Sequence, residues 1–331
     1  MNKELDFLAI GDTVVDAFIR LKEAHVSCNI DHGNCEICMA FGAKVPYDSV
    51  TIIPAVGNSA NAAVSASRLG LQSGLITFLG NDVNGRECKF QLEQEGVDTE
   101  YVVMENGKMT NYHYVLWFGD ERTILIKHET FKTFLPPIIK APKWIYLSSL
   151  GEHAKDLHFE LAHYLSSNPD VQLAFQPGTF QIKMGKELLA PIYSRTNFFC
   201  CNVEEAMQIL GTDVRDLPTL LLGISLLGPK VTCITDGKDG SYMRYKDENY
   251  FLPIYPDPMS PLERTGAGDA FASTFAAAIV SGVDPVEALR WGPINSMNVV
   301  QYVGAQKGLL KKKDIENLLQ QAPVDYVVKK L

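Results

Sequence analysis

An α/β protein with a mostly parallel central sheet flanked by helices on both faces is the fold class this 331-residue sequence predicts. Three observations carry the prediction. Apolar runs close on polar residues at Ser148-Ser149, Gln176, Asn202 and Thr235, at steps near the ~30 residues of a strand–helix–strand unit. Helical patterns such as His158–Leu165 and Glu204–Leu210 fill the gaps, which forecasts parallel strands covered on both sides. Polar residues recur where those strands end, and open sheets of this kind bind ligands beyond the carboxyl ends of their strands.

In chain order, residues 5–10 read as a buried opening strand that stops at Gly11-Asp12. Residues 13–56 read as irregular, punctuated by Gly33, Gly42, Pro46 and Pro54. A helix from about Asn58 to Leu69 closes at Gly70, the residue type that best tolerates a left-handed cap. A strand Gly74–Leu79 follows, then the turn Gly80–Gly85 and a helix to Glu95 ended by Gly96. Residues 110–127 alternate through Tyr112, Tyr114, Leu116 and Phe118, turn at Gly119-Asp120-Glu121 and resume with Thr123 and Leu125, the pattern of a β-hairpin. One domain over 1–331, with a small β-rich lid from about 13–57 and 98–131, is the simplest partition.

The formal net charge of −9 excludes a broad nucleic-acid footprint, which needs concentrated positive charge. No apolar run approaches the ~20 residues of a membrane span. The start, Met1 to Ile10, puts acids ahead of its short apolar run and lacks a signal-peptide layout, so a cytoplasmic protein is expected. Seven scattered cysteines fit reduced thiols better than a disulfide framework. Cys28, Cys35 and Cys38, with His25 and His32, leave a metal site open, although the second pair of a zinc finger is missing.

Chemistry concentrates in Glu263-Arg264-Thr265-Gly266-Ala267-Gly268-Asp269, which runs into a helix with Phe271, Phe275 and Ile279 on one face. Glycines allow several amides to point at one spot, and a helix N-terminus behind them makes an anion site suited to a terminal phosphate. The helix dipole should keep Asp269 ionised and weakly basic. That suffices for phosphoryl transfer, where the hydroxyl proton leaves late. A rival phosphate loop, Gly178 to Gly185-Lys186-Glu187, has six residues between its glycines and no Ser/Thr after the lysine, and fails. The exit Gly11-Asp12-Thr13 lacks a dinucleotide fingerprint, which argues against an oxidoreductase.

Thr265–Asp269 resembles the C-terminal signature of the PfkB/ribokinase family. Val56-Gly57-Asn58-Ser59-Ala60-Asn61-Ala62-Ala63, with Leu69-Gly70 and Gly80–Gly85, resembles its N-terminal signature. The likeness covers essentially the whole chain and implies a ribokinase-like fold and an ATP- and Mg²⁺-dependent kinase acting on a small hydroxylated acceptor. It makes Asp269 the catalytic base and Gly266, Ala267 and Gly268 the anion hole. It assigns Asn202, Thr235, Gly237, Gly240 and Thr265 to the nucleotide, and Glu205 to magnesium through water. Asp12, Asp16, Gly57, Asn58 and Asn61 fall to the acceptor. Asn202 with Glu205 reads equally well as a helix N-cap. Glu263 stands where many members carry Asp and bind a monovalent cation, which leaves potassium open. Asn58 replaces a lysine common in relatives that take phosphorylated acceptors, which favours a neutral one.

Aromatic residues crowd the lid, and alternation places Tyr112 and Tyr114 on one face and His113 on the other. Stacking on such rings favours a nucleoside, for instance a purine nucleoside presenting its 5′-hydroxyl. A sugar kinase of the ribokinase, fructokinase or 2-keto-3-deoxygluconate kinase type is the alternative, and a non-catalytic sugar-binding regulator is one of another class. In relatives such lids pair between subunits, which implies a homodimer.

Overall fold

A computed structural model describes residues 4–28, 35–119 and 121–331. Expectations placed on Met1–Lys3, His32, Gly33 and Asp120 lie outside these described residues. The opening strand Phe7–Ile10 is fully buried and sits inside a ten-stranded sheet. It pairs in parallel with Trp144–Leu147 on one side and Ser73–Gly80 on the other. Parallel pairing continues outward through Gln172–Phe175, Thr196–Asn202 and Val231–Thr235. Three antiparallel strands, Ser241–Tyr245, Glu248–Leu252 and Lys329–Lys330, finish that edge.

Alternation along the central strand divides the core. Phe7 and Ala9 face a layer built on the helices Asn58–Arg68, Ala267–Val280 and Trp291–Val299. Leu8 and Ile10 face the opposite layer with Leu157, Leu161 and Leu165 of the helix Lys155–Ser167. The first layer is closely packed because its helices are rich in alanine. Ala60, Ala63, Ala272 and Ala276 are entirely buried. Ser65 and Thr274 meet hydroxyl to hydroxyl at 3.4 Å, so the axes approach closely without stranding a polar group.

Two expectations need correction. Residues 13–56 are not irregular: Val14–Leu21 and Tyr47–Val56 are antiparallel partners in a separate four-stranded sheet. Tyr112–Phe118 and Glu121–Leu125 complete it. The partner of Val14–Leu21 lies some 30 residues downstream, and Pro54 is tolerated because Tyr47–Val56 is an edge strand. The span 98–131 also divides, since Val102–Glu105 pairs with Thr77–Gly80 in the large sheet.

Cys28 and Cys35 are not reduced thiols but a disulfide across the hairpin His25–Cys28/Cys35–Cys38. They are direct cross-strand partners with Cα atoms 4.1 Å apart, within bridging reach. Cys38 stays free. Among the described residues no group of three or more ligating side chains gathers for a metal, and no helix is long and apolar enough to cross a membrane.

Candidate active site

Strand ends, two helix N-termini and the small sheet converge on one carboxylate. Asp269 lies in the first turn of the helix Ala267–Val280, preceded by Gly266 in a left-handed conformation (φ 79°). A Cβ at Gly266 would stand 2.3 Å from that of Ala305, so only glycine fits. Glu263, 4% exposed, holds the turn by accepting the Thr265 amide at 2.7 Å and the Gly304 amide at 2.9 Å.

Asp269 is positioned by two side-chain amides. Asn61 donates to Oδ2 at 2.8 Å from the helix Asn58–Arg68, and Gln176 donates to Oδ1 at 3.1 Å from the end of its strand. Each amide is fixed in turn. Gln306 donates to Asn61 Oδ1 at 3.0 Å, and the Tyr146 hydroxyl donates to Gln176 Oε1 at 2.5 Å. Burial raises the Asp269 pKa, opposed by the Asn61 and Gln176 hydrogen bonds and reinforced by the charge of Asp16. The dipole at the helix N-terminus therefore does not set its basicity alone. Asn61, expected at the acceptor, donates to the carboxylate. Gln176 was missed, although the sequence shows it as a polar strand end.

A cavity of about 350 Å³ leads away from this turn. Ala267 and Gly268 form one wall, Thr235, Gly237 and Gly240 another, and Tyr255 and Phe271 contribute apolar surface. Asn202 and Glu205 form a capping box: Asn202 Oδ1 accepts the Glu205 amide at 2.8 Å, and Glu205 Oε2 accepts the Asn202 amide at 2.9 Å. One Glu205 oxygen stays outside that box, and burial raises its pKa, with the Asn202 amide lowering it and Asp269 raising it. Thr265 has a buried hydroxyl with no hydrogen-bond partner among the described residues.

On the other side stand Asp12 and Asp16. Gly57, at φ 115°, packs against the Asp12 carbonyl, where a Cβ would come within 2.7 Å. The neighbouring Ser59 hydroxyl bonds the same carbonyl at 3.1 Å, so Gly57, Asn58 and Asp12 lie together. Asp16 pairs across strands with His113, and their side chains are 3.4 Å apart. The same register puts Tyr112 and Tyr114 on the face away from Asp16. Tyr112 packs on the main core, and Tyr114 is 48% exposed. Neither tyrosine joins the cluster; His113 does, with His128 beside it at 5.3 Å between ring centroids.

Burial pushes Asp12 from the usual 3.8 up to about 7, against the Gly151 amide and the charge of His113, which lower it. A carboxyl raised by folding stabilises fully below its unfolded pKa and loses that contribution as pH climbs to the folded value. Asp12→Asn should therefore match the wild type near pH 4. By about pH 8 it should be the more stable by on the order of 2–4 kcal/mol, read from denaturant melts at both pH values. Equal stability across the range would contradict a buried Asp12.

Comparison with known proteins bears on the family and the fold. Residues 47–312 match the family model described as pfkB family carbohydrate kinase. The ribokinase of Bacillus subtilis (strain 168) is 27% identical over 287 residues, spanning 84% of this chain and 92% of that protein. A nucleoside kinase of Methanothermobacter thermautotrophicus is 25% identical over 318 residues, spanning 93% and 94%. The Arabidopsis thaliana ribokinase, solved with ribose and ATP, superposes with a TM-score of 0.78 at 19% identity, over 96% of this chain and 99% of that one. The chain belongs to the pfkB family of carbohydrate kinases, phosphotransferases with an alcohol group as acceptor.

Proposed function

We propose that this protein transfers the γ-phosphoryl group of ATP to a hydroxyl of a neutral sugar or nucleoside, with Asp269 as the base. The observation that carries the reading is the two-amide cradle of Asp269 at a helix N-terminus, between the 350 Å³ cavity and the Asp12–Asp16 cluster. ATP fills the cavity along Thr235, Gly237 and Gly240, with Asn202 and Thr265 beside its phosphates. The amides of Gly266, Ala267 and Gly268 face the γ-phosphoryl oxygens, where preorganised donors stabilise developing charge. Asp269 orients the acceptor hydroxyl and takes its proton as the oxygen–phosphorus bond forms and the bond to ADP breaks. The raised pKa of Asp269 suits proton acceptance late in the reaction.

Magnesium bound with ATP supplies charge neutralisation of the phosphates, and the free oxygen of Glu205 is the group that would hold it through water. Both Glu263 oxygens are engaged by backbone amides. The acceptor is neutral because Asn58 offers no positive charge to a second phosphate. A nucleoside is preferred over a free sugar on the relative's name and on a second cavity of about 110 Å³ beyond Asp12, walled by Phe131 and Phe180. With Tyr112 and Tyr114 turned away, stacking on the lid tyrosines no longer supports it.

The small sheet acts as the lid of a single catalytic unit. Its inner face carries Asp16, His113 and Arg122, and Arg122 reaches to 3.9 Å of Glu263 beside the anion hole. The outer face exposes Ile52 (57%), Tyr114 and Leu125 (52%). Contiguous exposed apolar surface marks an association site, and a second copy of this chain is its occupant. The cytoplasm, where ATP and sugars meet, is the proposed compartment.

Asp269→Asn removes the base and sets its own NH₂ against one of the two amides, Asn61 or Gln176, that donate to the carboxylate. Turnover in an ADP-release assay across sugars and nucleosides should fall by ~10²–10⁴-fold, while calorimetry finds ATP affinity unchanged. Undiminished turnover would reject the assignment. Leu125→Asp with Ile52→Asp should convert a sedimenting dimer to monomer; a wild type that sediments as monomer removes the dimer.

A further inference from the structure

Two neighbouring strands of the large sheet end where the larger cavity begins, and one arginine ties their exits together. Asn202 and Thr235 are partners in the register of Thr196–Asn202 with Val231–Thr235. The Thr235 hydroxyl donates to the Cys201 carbonyl at 3.5 Å. Just past Asn202 stands Glu204, in the first turn of the helix Val203–Leu210. Just past Thr235 stands Asp236, flanked by Thr235 and Gly237, which both wall the 350 Å³ cavity. Arg215 belongs to neither exit. It lies in the connection from that helix to the helix Leu217–Ser225. Its Nη1 donates to Glu204 Oε1 at 2.8 Å, and its Nη2 donates to Asp236 Oδ1.

The two carboxylates differ in their need of a partner. The Glu204 side chain is 64% exposed, so water screens it. That of Asp236 is 13% exposed, and a charge withdrawn from water acts strongly on its neighbours. Nor can Asp236 retreat freely. Its amide donates to the Gly240 carbonyl and its carbonyl accepts the Asp239 amide, each at 2.9 Å, so the carboxylate moves only with the loop. Asp239 is a further acid whose charge acts on Arg215, and Lys238 is the cation of the loop itself.

We propose that Arg215 is a positioning residue for the nucleotide: it holds the Asp236 carboxylate off the cavity and cancels its charge, so that a polyphosphate can lie along Thr235, Gly237 and Gly240. The inference rests on the kinase reading, which puts ATP in that cavity, and adds to the nucleotide site a residue from a third segment. A guanidinium suits the task because its planar fork offers donors in fixed directions to carboxylates on different elements. Without it, Asp236 and the phosphates repel each other beside the strand ends.

The test is calorimetric binding of Mg·ATP, Mg·ADP and AMP to the full chain, with ADP release from an accepted sugar or nucleoside giving kcat and KM. Arg215→Ala should weaken ATP binding by on the order of 10-fold, weaken ADP binding less and leave AMP within about twofold, because the repulsion grows with phosphate charge. KM for ATP should rise in step while kcat stays within about twofold. Adding Asp236→Asn to that variant should return ATP affinity to within about threefold of the wild type. Arg215→Lys, which keeps the charge, should retain most of it. An Arg215→Ala protein that binds ATP as the wild type does overturns the inference. So does a double variant as weak as the single one, since the arginine would then be a tether and not a counter-charge. Either result leaves the kinase standing, whereas a wild type that binds no ATP overturns the kinase reading and the inference with it.

Discussion

A carboxylate held where burial opposes its charge, yet anchored by two amides at a helix N-terminus, is the constraint on which the site depends. Left to desolvation alone, Asp269 would take up a proton and lose its use as a base. Asn61 and Gln176 resist that by bonding its two oxygens from opposite sides. The result is a group with a raised pKa, fixed in direction, at the point where a helix presents free amides to an anion.

That arrangement dictates much of the architecture. Asn61 reaches Asp269 only because the helices Asn58–Arg68 and Ala267–Val280 pack through alanines and serines. A leucine at Ala63 or Ala272, both without exposed surface, would drive them apart. Gln176 arrives because its strand ends beside Tyr146 at the carboxyl edge of the sheet. The left-handed Gly266 turns the chain so that the helix begins at the cavity wall, and Glu263 locks that turn to the loop at Gly304. The small sheet adds a polar face carrying His113 and Asp16, and the Asp16 charge reaches Asp269.

Features written in contiguous residues were legible in the sequence. The parallel strands are apolar runs that stop at polar residues, and the signature helix announces itself through its glycines and alanines. The glycine turn that opens the signature helix and the capping box of Asn202 and Glu205 follow from those local patterns, whereas the two amides that cradle Asp269 come from distant segments. What escaped depends on distant pairing. Val14–Leu21 becomes a strand only beside Tyr47–Val56, and Cys28 finds Cys35 only across a hairpin. Alternation correctly separated His113 from the tyrosines, but it could not say which face looks inward. The register with Asp16 settles that in favour of the histidine. His128 lies in no strand or helix, so no periodic signal could have found it.

The most direct test is a crystal structure of the chain with ADP, Mg²⁺, aluminium fluoride and an accepted polyol, a mimic of the transferring phosphoryl group. The account predicts fluoride atoms within hydrogen-bonding distance of the Gly266–Gly268 amides and an acceptor oxygen resting on the Asp269 carboxylate. Fluoride bound elsewhere in the cavity, or an acceptor oxygen held by some other residue, would contradict it.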